Sequence, residues 1–91
     1  MDNSADIIRQ IGPIVERLWP ALQRELRGRD PAVQSAVLAD LTAMWLAGCV
    51  IRDDPNETRR LRAELLGHFT TLVRQLVPVN AVMLGTPRDL I

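Results

Sequence analysis

Few side chains in this sequence can do chemistry. His68 and Cys49 are each the single residue of their type, and Asp40 is the single charge within the most apolar stretch, Ala36–Ile51. A zinc site draws several Cys or His ligands from characteristic spacings, and one of each on separate segments does not meet that requirement. No glycine-rich phosphate loop, Ser/His/Asp set or convergent carboxylate pair is present. The one catalytic pairing that the residue types allow is Asp40 with His68. The expectation is therefore a non-enzymatic protein with no metal and no cofactor.

Each of these residues also has a structural role to fill. Cys49 lies among apolar neighbours, where a free thiol acts as a small hydrophobe. His68 stands one helical turn after Glu64, a spacing that suits an acid–imidazole contact, and at an interface such a pair would be pH-sensitive. Asp40 falls between a bulky apolar face (Val33, Val37, Leu41, Met44, Trp45) and a ridge of small residues (Ala32, Ala36, Ala39, Ala43, Ala47). An unpaired buried carboxylate is very costly. Asp40 must reach water, pair with an Arg at the rim, or fix register across a helix–helix interface. Ala36, Ala39, Ala43 and Ala47 would let a second helix approach closely, although Ala is also simply a good helix former.

The one basic cluster, Arg59, Arg60 and Arg62, is surrounded by Asp53, Asp54 and Glu57, whose charge repels a phosphate backbone. Arg62 also falls inside an apolar arc, so its stem is expected to lie along the core. The aromatic residues Trp19, Trp45 and Phe69 sit on apolar faces and form no stacking platform for single strands. Eleven basic and eleven acidic residues cancel, so the net charge also disfavours nucleic acid and anionic membrane as partners.

The elements that would position these residues are helices. Hydrophobic residues make up 47% and charged residues 24% of the 91 positions, which is the balance of one small folded domain and not of a disordered chain. From about residue 4 to 27, nine apolar residues from Ile7 to Leu26 fall on an arc of roughly 140°. Asn3 or Ser4 can cap this helix. Pro13 and Pro20 interrupt its bonding, but both lie on the polar face and the apolar stripe keeps phase past them. The expectation is one bent helix, with the freed carbonyls of Arg9 and Glu16 facing water.

Gly28-Arg29-Asp30-Pro31 reads as a stop followed by a start: Gly28 in the left-handed region, Asp30 as cap, Pro31 as first helical residue. The second helix, 31–51, has apolar or small residues nearly all round, which predicts neighbours on more than one side. Asp54-Pro55-Asn56-Glu57 starts a third helix over 55–77, with Glu57 reaching back as in a capping box. Pro78 is expected to end it. The apolar tail 78–91, with Val82, Met83 and Leu84, then forms an arm or a short fourth helix, or packs on a partner chain.

The sequence thus predicts a small all-α bundle of three main helices, the first Pro-bent, in a single domain over 1–91. One Cys excludes an intrachain disulfide, the acidic start is unlike a signal peptide, and the uncharged run Leu41–Ile51 is shorter than the roughly 20 residues of a membrane span. A cytoplasmic location follows as the expectation. The expected function is protein–protein interaction, as a homodimer or as a small regulatory or accessory protein. Asp40, Ala36, Ala39, Ala43, Ala47, Val82, Met83 and Leu84 form the expected interface, and His68 with Glu64 a polar or pH-sensitive site. The second reading is a helical regulator that holds a small apolar ligand between its helices or binds DNA as a dimer.

Overall fold

A computed structural model describes residues 4–88. Residues 89–91 of the expected tail, and the side chains expected to cap the first helix at Asn3 or Ser4, lie outside what is described. The described residues form three helices and no strand: α1 (Ser4–Leu26), α2 (Pro31–Gly48) and α3 (Pro55–Leu84).

α1 runs unbroken through Pro13 and Pro20, as the continuous phase of its stripe requires. Both prolines are exposed, so the carbonyls they leave unbonded can be solvated. Arg27 and Gly28 then turn the chain, with Gly28 in the left-handed region at φ 78°. The carboxylate of Asp30 accepts from the Ala32 N–H at 2.7 Å and its carbonyl accepts from the Gln34 N–H at 3.0 Å, which satisfies two donors of the first turn of α2. Gln34 ties the new helix back to the old one by donating to the Leu26 carbonyl at 2.8 Å.

α3 departs from expectation at its end. It does not stop at Val77 but continues through Pro78 to Leu84, so Val82, Met83 and Leu84 are its last turn and not an arm or fourth helix. The reason is the one that operates in α1. Pro78 is exposed, and the carbonyl of Arg74 that it leaves without a donor can be hydrated. The true stop is Gly85, at φ 69°. Its N–H and that of Thr86 return to the carbonyls of Val82 (3.3 Å) and Ala81 (2.9 Å), the paired bonds of a Schellman motif.

The chain divides into two compact units, Met1–Leu38 and Ala39–Ile91, with the boundary inside α2. Among the described residues, Leu26 is the buried apolar residue of the first unit (8% exposed), and Ala81 (3%) that of the second, with the polar Thr58 (8%). The expected burial of α2 is not found: none of its residues is buried. Val33, Val37, Leu41, Met44 and Trp45 are all exposed, Met44 to 59%. An apolar circumference predicts neighbours, and among the described residues these side chains stand exposed.

Because Pro78 interrupts the bonding of α3 and is exposed, Pro78→Ala is expected to restore the missing bond and stabilise the protein by about 1–3 kcal/mol. Urea denaturation at fixed protein concentration measures this; an unchanged or lower midpoint would show that residues 78–84 are not held as helix in solution.

Candidate interaction site

A connected set of polar contacts lies in the second unit, where α2 ends and α3 begins. A helix leaves its last carbonyls without donors, and here a side chain from α3 supplies them. Arg62 donates from Nε to the carbonyls of Leu46 (2.9 Å) and Cys49 (3.1 Å), and from Nη2 to that of Ala47 (2.8 Å). The guanidinium also sets a full positive charge at the negative end of the α2 dipole. Its position inside the apolar arc of α3 is explained: the stem runs along the helix face and the fork caps a neighbour.

Thr58, one turn earlier, is buried and bonds the loop twice. Its hydroxyl accepts from the Ile51 N–H at 2.9 Å and donates to the Ile51 carbonyl at 3.1 Å. Asp54 accepts the Glu57 N–H at 3.0 Å, as a cap should. The reciprocal arm of the expected capping box is absent, because the Glu57 carboxylate pairs with Arg60 instead, at 3.2 Å. Asp53 takes the left-handed region at φ 62°, which a short polar side chain tolerates better than most.

A cavity of about 460 Å³ opens at this corner, lined by Val50, Asp53, Asp54, Arg59 and Arg62 among others. It does not make a phosphate site. Two carboxylates share it, and Arg62 is committed to backbone carbonyls. The three arginines of the basic cluster serve different ends: Arg62 faces inward, Arg60 pairs with Glu57 and Glu64, and Arg59 stands beside the acids. No row of free guanidinium groups results.

The other expected site residues are dispersed. Glu64 reaches Arg60 at 3.8 Å rather than His68, so the acid–imidazole contact does not form, and His68 is exposed. Arg60, one turn before Glu64, offers that carboxylate a permanent cation at helical spacing. Asp40 is exposed and has no ion pair or hydrogen bond, to His68 or to any Arg, among the described residues. Ala36, Ala39, Ala43 and Ala47 line an exposed ridge of α2, and Val82, Met83 and Leu84 are exposed, Met83 to 79%. Cys49 is half-buried, its thiol donating to the Trp45 carbonyl at 3.4 Å. Among the described residues no three His, Cys, Asp or Glu side chains converge as metal ligands would. Trp45 meets Phe69 of α3 in a tilted contact, centroids 6.1 Å apart.

In the first unit the structure reveals a feature that the stripe of α1 signalled only in part. A groove of about 430 Å³ is floored by Leu22 and Leu26 of α1 and by Val33 and Val37 of α2, with Glu25 and Arg29 at its rim. Ile14, Val15, Leu18 and Trp19 lie further along α1 and are exposed, Leu18 to 63%. Part of the apolar arc read from the sequence, these residues form an exposed face. Among the described residues, no helix is long and apolar enough to cross a membrane.

Removal of the Arg62 fork leaves helix-end carbonyls without donors. Arg62→Leu is expected to cost about 1–3 kcal/mol by chemical denaturation, and Arg62→Lys to recover less than half of that loss, since a point charge cannot reproduce the fork. Full recovery by Lys would mean that charge alone is at work. For Thr58 the discriminating pair is Thr58→Val, expected to cost about 1–3 kcal/mol, against Thr58→Ser, which keeps the hydroxyl and should cost about 1 kcal/mol or less; equal losses would assign Thr58 to packing. Compared with known proteins, the chain matches no family model, no curated protein and no solved structure.

Proposed function

We propose that this protein is a non-enzymatic helical interaction module that works as a homodimer, its helices completing a bundle only when a second chain covers them. The observation that carries this reading is the exposure of its apolar side chains. Bulky residues on all three helices, from Ile14 in α1 through Met44 in α2 to Met83 in α3, stand in solvent, while Leu26 and Ala81 are the buried apolar ones. Isolated exposed apolar residues are ordinary, but contiguous stripes mark binding surfaces. Equal numbers of acidic and basic residues leave two copies without net repulsion. The Ala36–Ala47 ridge, Asp40 on its border and the Val82–Leu84 turn offer surface for a second copy or for a different regulatory partner.

A small apolar ligand between the helices is the second reading, and the groove in the first unit is the observation that favours it. Val33 and Val37 of its floor are 47% and 37% exposed, however. A ligand site normally buries 70–90% or more of its occupant, so this open floor suits a helix better than a small molecule. Asp40 and His68, the one catalytic pairing that the residue types allow, are both exposed, and no bond joins them among the described residues.

Sedimentation velocity across the micromolar range tests the proposal. The expected result is a dimer of about twice 10.2 kDa whose fraction rises with concentration. A single monomeric species throughout would overturn it, and native mass spectrometry of a monomer carrying a small bound molecule would establish the second reading in its place.

A further inference from the structure

We propose that the cleft between the Pro78 turn of α3 and the segment after Gly85 binds one phosphate group, held by Arg74 and Arg88. The proposal does not depend on the homodimer reading. Its first support is placement. Gly85 stops α3 in the left-handed region and the Thr86 N–H returns to the Ala81 carbonyl, which turns the chain. Arg88 then comes to lie beside the turn of α3 that carries Arg74, Val77 and Pro78, and these residues line a cavity of about 90 Å³. Pockets for drug-sized ligands begin at roughly 300 Å³. This one has room for a single small group.

The second support is charge. Neither Arg74 nor Arg88 has a hydrogen bond or ion pair among the described residues, and no described acid lines the cavity. The sequence has no Asp or Glu between Glu64 and Asp89. Glu64 is engaged by Arg60 and stands about 15 Å before Arg74 along the helix axis. Asp89 lies outside the described residues. Two cations that line one cavity repel each other in the free chain, and the helix stop does not need them, because Gly85 supplies it. An anion between them turns that repulsion into two attractive contacts.

The anion that fits is a phosphate monoester. Guanidinium forks match its oxygens in geometry, and its charge of about −1.5 to −2 at pH 7 balances two arginines, where a carboxylate brings one. Val77 and Pro78 add no competing polar side chain to the cavity. A small phosphorylated metabolite and a phosphorylated side chain of another protein share this chemistry.

The test is an NMR titration of the protein with inorganic phosphate at constant ionic strength, following the arginine Nε–Hε signals. Those of Arg74 and Arg88 are expected to move together and saturate, with a Kd of about millimolar. Acetate is expected to bind at least tenfold more weakly. Arg74→Gln and Arg88→Gln, both at exposed positions, are each expected to weaken phosphate binding about tenfold or more with helix content unchanged by circular dichroism. Arg59→Gln, at the α2–α3 corner, is expected to leave it as it is. Glycerol phosphate and a phosphoserine peptide are titrated in parallel, and the tighter of the two assigns the source of the phosphate. Shifts that stay linear in phosphate concentration, an equal response to acetate, or the same loss from Arg59→Gln would overturn the site.

Discussion

The structure depends on one requirement above the rest: backbone groups at the helix ends must be bonded, and in this chain side chains do it. The corner between α2 and α3 shows this most clearly. Three carbonyls of the α2 end are met by one guanidinium, that of Arg62, and the loop residue Ile51 has both its N–H and its carbonyl bonded to Thr58. An unsatisfied backbone group costs free energy comparable to a lost hydrogen bond. A corner that satisfies so many groups through two side chains of α3 therefore fixes where α3 starts. The α1–α2 turn uses the same economy, with Asp30 and Gln34 bonding the ends of successive helices.

These polar bonds determine local geometry without supplying much hydrophobic stabilisation. Full burial of a Leu or Val side chain is worth about 1.5–3 kcal/mol, and most of that contribution is unrealised where the side chains remain exposed. The Trp45–Phe69 contact illustrates the shortfall: both rings touch, yet Trp45 is 45% exposed. The corners prescribe helix order, and the apolar faces between corners remain available to another molecule. The proposed role as an interaction module rests on that division between satisfied polar groups and exposed apolar ones.

What could be read from the sequence divides along the same line. Helix starts were legible because their causes are local: Asp30-Pro31 and Asp54-Pro55 carry cap and first residue side by side. The end of α3 was misread at Pro78 although Pro13 and Pro20 had already shown the governing rule. Proline on an exposed face bends or weakens a helix without ending it, and Gly85, seven residues on, was the stronger stop. Glu64 was assigned to His68 because the spacing allowed it, while Arg60 stands at the same spacing on the other side and carries a permanent charge. Arg62 inside an apolar arc was a real signal, but what its fork reaches is sixteen residues away from it in the chain. Periodicity also groups the apolar residues of each helix into faces. It could not say what covers them, because coverage is a property of the assembled molecule.

That last gap has a thermodynamic consequence. A chain whose apolar burial is deferred to an interface does not have a stability of its own to which binding is merely added. Anything that binds the folded form and not the unfolded one shifts the folding equilibrium, by an amount that grows with its concentration. For a homodimer the ligand is the chain itself, so folding and association become one equilibrium. The exposed prolines in α1 and α3 bear on the same point. Each interrupts helical bonding in the free chain, whereas a partner packed on the opposite face would hold that helix in place. Under the proposed homodimer, the chain would be ordered when its partner is present and loosened when it is scarce, so that its own concentration would set how much of it is in working form.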